Sequence, residues 1–160
     1  MRWAMNTNDA VLEAPAPGVC GLREFLIARV GDTHVAIAAD RVETIADAPR
    51  GAEPPCDEPW VAGWFLHRER MWLSVHLVGR DSPRAALGKR VVMRERDNAR
   101  FAIEVDEVHG PAVLDEVLRE PMRLKGWSAP QKWLGKARSF DGRPVCWVDV
   151  DAVAADLAAS

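Results

Sequence analysis

No tyrosine occurs in this sequence, cysteine occurs three times, and no apolar run approaches the roughly 20 residues that a membrane-crossing helix needs. Cys20, Cys56 and Cys146 are far apart, with no Cys-x-x-Cys pair, and no stretch resembles a signal peptide. These absences point to a cytosolic protein with reduced thiols, whose association with a membrane would run through a partner. The four histidines, His34, His67, His76 and His109, form no His-x-His or His-x-x-x-His pair and stand beside no carboxylate pair at ligand spacing, so neither metal nor cofactor is expected. Gly-x-Ser-x-Gly elbows, phosphate-cradling glycine loops and dinucleotide fingerprints are missing too, and the chain is read as no enzyme. Charge of one sign is also scarce: 21 Lys and Arg against 24 Asp and Glu leave a net charge of −3, interspersed along the chain, which argues against a nucleic-acid partner. The nearest thing to a basic patch, Lys89, Arg90, Arg94, Arg96 and Arg100, is interrupted by Glu95 and Asp97 and reads as a solvated charged face.

What is present is enough for one domain, since 160 residues with 48% hydrophobic content can bury a majority of their unfolded surface. Residues Met1 to Gly21 mix Asn6, Thr7, Asn8 and Asp9 with Pro15 and Pro17, show no sustained periodicity, and read as a flexible tail that contains a solitary Trp3. The domain then covers residues 22–158. Within it, short apolar runs flank turn residues: Phe25 to Val30 and Thr33 to Ala38 around Gly31-Asp32, Arg90 to Glu95 and Arg100 to Val105 around Asp97-Asn98, and Ala137 to Phe140 and Val145 to Val148 around Asp141-Gly142. Gly, Asn and Asp tolerate the positive φ of tight connections, so these read as hairpins.

Two segments break the strand rhythm. The proline-rich Ala48 to Pro59 reads as a surface loop, and Pro111 to Pro130 as a short helix at Ala112 to Arg119 followed by a loop. A final helix is predicted over Val150 to Ala159, capped by Asp149 or Asp151, with Val153, Ala154 and Leu157 on one face. Many short strands with helical edges predict an all-β barrel or sandwich.

Several single residues have a plain structural role beside a functional one. Alternation over Met71 to Val78 predicts that Met71, Leu73, Val75 and Leu77 face the core while Trp72, Ser74 and His76 face away, which makes His76 a surface imidazole or, less commonly, a pH-responsive contact. Cys146 lies within a strand and reads as a small core residue, not a nucleophile. Of the seven tryptophans, Trp147 reads as packing mass, whereas Trp60, Trp64 and Trp72 bracket Arg68 and fit a core wall or a binding surface, core packing being the more frequent outcome. Arg68 itself stands at a turn between two apolar runs, where an arginine faces solvent, pairs with Glu69 or a neighbouring acid, or recognises a partner.

The stretch from Ala62 to Leu77 resembles the central signature of CheW-like domains, in which a glycine opens a short apolar strand ending in Leu-Arg-Gly and a second strand follows; Gly63, Arg68 and Leu77 fall in register with it. Phe25 to Asp32 is similar to the family's opening strand and turn, Val35 to Ile45 to a strand running into a Val-x-x-Ile ending at Val42 to Ile45, Phe101 to Val108 to its Gly-Leu-Leu-Val-Asp-x-Val element, and Asp141 to Asp151 to its closing hairpin. Glu69 stands where the motif has glycine, Leu73 where it has proline, His76 where it has aspartate, and Ala38-Ala39 where larger residues are usual.

The resemblance implies two small five-stranded, SH3-like β-barrels packed as one unit, with short helices including a C-terminal one. It implies a non-catalytic adaptor that couples the cytoplasmic tips of methyl-accepting chemoreceptors to the regulatory domain of a CheA-type histidine kinase, in a bacterial chemosensory pathway. The receptor-side positions carried over are Val42, Ile45, Gly63, Arg68 and Val108. The departures keep open an accessory CheW-like protein of a separate motility or developmental pathway, and the scattered His and Cys residues a small-ligand or enzymatic β-barrel.

Overall fold

The computed structural model describes residues 24–48, 57–82, 88–121, 124–139 and 144–159. Ten strands form two five-stranded units. The first contains β1 (Glu24–Val30), β2 (Thr33–Ala38), β8 (Glu107–Pro121), β9 (Leu134–Ser139) and β10 (Pro144–Val148), closed as a barrel in the order β1-β2-β10-β9-β8. The second contains β3 (Val42–Asp47), β4 (Val61–His67), β5 (Arg70–Val75), β6 (Lys89–Met93) and β7 (Phe101–Val105), ordered β3-β6-β7-β5-β4. The two five-stranded units implied by the resemblance are therefore both present, and the second leaves β3 and β4 as its end strands. The second unit is nested in sequence inside the first. A 3₁₀ turn at Ala39–Arg41 splits the apparent run from Val35 to Ile45 and carries the chain from one sheet to the other.

The hairpin turns form where the sequence places them. Gly31 adopts φ +61, and Asp97 and Asn98 adopt +53 and +68, the left-handed values that a two-residue connection requires. The Asp141-Gly142 turn, the tail with Trp3, Cys20, Cys56 and most of the Ala48 to Pro59 loop lie outside the described residues.

One expected element is replaced. Ala112 to Arg119 is not helical but lies inside β8, a 15-residue strand whose first half pairs with β1 and whose second half pairs with β9. Leu114, Val117 and Leu118 carry helical spacing, but β1 pairs with the backbone of the strand's first half and β9 with that of its second, and tertiary pairing overrides a weak local preference. Register shifts at Ile27/Ala28, Leu114/Glu116 and Leu118/Pro121 let this one strand bend around the barrel. Gly110, at φ +121, marks the first.

Strands buried on both faces build three cores. Phe25, Ala36, Ala38, Leu114, Ala137, Val145 and Trp147 fill the barrel, where small Ala36 and Ala38 accompany the bulk of Phe25 and Trp147. The alternate residues, Leu26, Ala28, Val30, Val35, Ile37, Cys146 and Val148, join Val42, Val75, Leu77, Val91, Met93, Phe101, Ile103 and Val105 in a larger core along the seam between the two units. The helix α1 (Val150–Ala159) closes this seam with Val150, Val153 and Ala154, and Asp149 caps it, its Oδ1 accepting the Ala152 N–H at 3.1 Å. Burial pushes the Cys146 thiol up to about 12. Iodoacetamide at pH 8 is therefore expected to leave Cys146 unmodified in the native protein, as peptide mapping by mass spectrometry would read; labelling without denaturant would mean that the seam opens.

The third core corrects two expectations. Trp72, Val92 and Ala102, with half-buried Phe65, pack on the other face of the second sheet, so Trp72, Ser74 and His76 are buried, while Met71 is exposed. His76 is thus no surface imidazole: its Nδ1 accepts the Gly79 N–H at 3.2 Å. Arg90 is the other correction, being buried, whereas its companions in the basic patch meet partners at the surface: Lys89 with Asp47, Arg94 with the Asp40 carbonyl, Arg96 with Asp151 and Arg100 with Glu95. Among the described residues no helix is long and apolar enough to cross a membrane.

Candidate functional site

Arg68 and Glu69 form the two-residue tip of the β4–β5 hairpin, at φ +53 and +66, with His67 and Arg70 paired across its base. Both tip residues are L-residues held where Asn-Gly is favoured. Glu69→Gly is therefore expected to stabilise the fold by about 0.5–1 kcal/mol, because relief of left-handed strain exceeds the added chain entropy of glycine; a lowered urea midpoint would contradict this.

The tip is tied to the far edge of the same sheet. Glu43, on β3, receives Arg68 Nε at 2.8 Å and His67 Nε2 at 3.1 Å on a single carboxylate oxygen, Oε2. Glu43 thereby spans the end strands β3 and β4 with side chains. Its carboxylate is recessed, 16% exposed, while the Arg68 side chain projects at 74%. His67 stands edge-on to the Trp72 ring at 4.9 Å, and Trp72 Nε1 donates to the His67 carbonyl at 3.0 Å, so a buried indole fixes the strand end that bears the arginine.

The hairpin's other face carries an apolar pair. Leu66 and Met71 are direct cross-strand partners and, at 70% and 48%, are the exposed large hydrophobic residues of the described chain. Next along the same face come Trp64 and Leu73, also cross-strand partners, and Leu73 packs against the seam core. The apolar strip thus continues outward from the seam to the tip.

Behind the hairpin lies a buried polar group. The Arg90 guanidinium sits 4.2 Å from the centre of the Phe65 ring and 4.0 Å from Glu104, whose carboxylate accepts the Ser74 hydroxyl. Arg90 and Glu104 are 6% and 7% exposed. Burial lowers the Arg90 pKa, and the Glu104 charge opposes that shift. Arg90 Nε is buried with no hydrogen-bond partner.

The five positions carried over from the resemblance are placed unequally. Arg68 alone projects fully. Val42 is buried in the seam core, Ile45 and Val108 are half-buried against it, and Gly63 is buried in β4 beside a register shift, at φ +154. Glu43 brings β3, which bears Val42 and Ile45, against the tip that bears Arg68, while Val108 reaches the seam from β8. Sequence reasoning missed Glu43 and His67, whose meeting depends on tertiary pairing. The Leu66/Met71 pair was within reach, because a two-residue turn at Arg68-Glu69 fixes that register.

Other titratable residues gather elsewhere. His34 and His109 meet edge to face at 4.9 Å, and His109 Nε2 lies 2.7 Å from Glu107, a hydrogen bond that leads the causes lowering the Glu107 pKa. Among the described residues no three His, Cys, Asp or Glu side chains converge as metal ligands.

No curated protein sequence matches the chain. Among solved structures it is similar to the scaffolding protein TtCheW from Thermoanaerobacter tengcongensis, with a TM-score of 0.63 at 10% identity over 79% of this chain and 88% of that one. The family model of the CheW-like domain matches residues 24–158, from the first residue of β1 into α1, and with ten strands in two nested five-stranded units the chain belongs to the CheW-like domain family.

Proposed function

We propose that the chain is a non-catalytic adaptor of a bacterial chemosensory pathway, coupling the cytoplasmic tips of chemoreceptors to the regulatory domain of a CheA-type histidine kinase. The observation that carries this reading is the family match across residues 24–158, with Arg68 projecting at the position where the family signature has its arginine. Arginine suits the receptor side of such a role: Nε is engaged by Glu43, and the terminal fork remains available to a carboxylate or carbonyl. In this reading Ile45 and Val108 contribute half-buried apolar contacts along the seam, while Val42 and Gly63 hold the backbone of β3 and β4 in place.

The proposal is tested by measuring binding of the full chain to a soluble chemoreceptor tip fragment and to a kinase regulatory domain from the same bacterium. Simultaneous binding of both supports the adaptor. Binding of neither, with capture of an unrelated protein set from the native lysate, would replace it with the accessory reading.

A further inference from the structure

Ahead of β9, residues 124–133 fold over the seam and leave a cleft of 310 Å³. Leu124, Trp127, Ala129 and Leu134 supply apolar lining, and Lys125 and Gln131 the polar groups. The wall is pinned in place. Ser128 and Ala129 donate their N–H groups to the carbonyls of Val78 and Leu77, both at 3.0 Å, and Trp127 donates to Leu124 at 3.2 Å. Gly79 approaches this wall so closely that a Cβ there would lie 2.9 Å from the Ser128 hydroxyl. The cleft is thus largely preformed, and its volume lies at the small end of ligand sites, about 300–1,000 Å³.

The charges around it are informative. Among the residues whose side chains are described, Lys125 is the one lysine or arginine with no hydrogen bond, ion pair, ring contact or other electrostatic interaction. An unneutralised ammonium beside an apolar cleft is complementary to an anion with a hydrophobic body. A phosphate, with a charge of about −1.5 to −2, would ask for more than the one cation of this lining.

We propose that this cleft binds a small amphipathic carboxylate, an aromatic or branched aliphatic acid whose apolar part packs on Trp127 and Leu134 and whose carboxylate meets Lys125. The site shares no residue with the β4–β5 hairpin and does not depend on the adaptor reading. It would give a scaffold a small-molecule input.

The test uses the full chain, labelled with ¹⁵N, titrated with indole-3-acetate and with 4-methylpentanoate as probes, and with indole and acetate as controls lacking the charge and the apolar body. At least one probe is expected to give saturable shifts at the Trp127 indole and the Lys125 and Gly126 amides, with a dissociation constant of about 1 mM or below. Indole should bind about fivefold more weakly than indole-3-acetate and acetate not measurably, and Lys125→Met, an exposed change that keeps the stem, should cost about fivefold, the size of one exposed ion pair. Failure of both probes to saturate, shifts centred elsewhere, or unchanged affinity in folded Lys125→Met would overturn the proposal.

Discussion

Arg90→Met is expected to destabilise the folded chain by about 3–5 kcal/mol, because it takes the guanidinium away from the Glu104 carboxylate in a site that is 7% exposed, where the Ser74 hydroxyl also faces that carboxylate. The competing losses are smaller. Methionine keeps most of the apolar stem, and the stacking of the guanidinium on Phe65 is worth about 0.5–2 kcal/mol. The loss of the opposite charge therefore dominates. Replacing both partners, as Arg90→Met with Glu104→Leu, should recover most of the loss, since a buried pair contributes little net stability while half a pair is costly. Urea unfolding of the three proteins at neutral pH measures this. A single-variant loss below about 1 kcal/mol would mean that water reaches the pair and screens it.

Arg68→Glu is expected to leave the fold intact and to weaken binding of a chemoreceptor tip by about 2 kcal/mol or more, about 30-fold, as for an arginine at the centre of an interface. The change also sets a second carboxylate beside Glu43, so Arg68→Ala, which adds no charge, serves as the companion variant. Both should weaken the receptor interaction while kinase binding changes little, with circular dichroism as the folding control. Unchanged receptor affinity in folded variants would mean that the family arginine has no such role here, and Glu69, where the motif has glycine, would be the first residue to change.

The parts of the fold that could be read in the sequence are those specified by neighbours in the chain. Gly31 and Asp97-Asn98 mark their turns by backbone conformation alone, and α1 is bounded by a capping Asp149 and an apolar face at Val153 and Ala154. The errors share one cause. Alternation along β5 assigns one buried face, but the second sheet has apolar neighbours on both, so Trp72 found Val92 and Ala102 waiting and only Met71 was left outside. For β8, helical spacing of apolar residues competed with strand pairing that is settled by β1 and β9, which are distant in sequence. Of the candidate site, the turn and its arginine were legible. Glu43 was not, since nothing local distinguishes a carboxylate that will meet a hairpin 25 positions later.

The nesting of the second unit within the first also orders events during synthesis. Strands β3 to β7 occupy one continuous stretch and can pair as soon as Val105 has left the ribosome, whereas β2 gains its parallel neighbour β10 only after residues 144–148 emerge. Until then the edge of β2 offers unmatched amide and carbonyl groups for more than a hundred residues of elongation, a template for pairing with another chain. A chain truncated between β9 and β10 would thus carry one finished sheet and a barrel left open at two adhesive edges, β2 and β9, and protein quality control would meet this intermediate in any message truncated there.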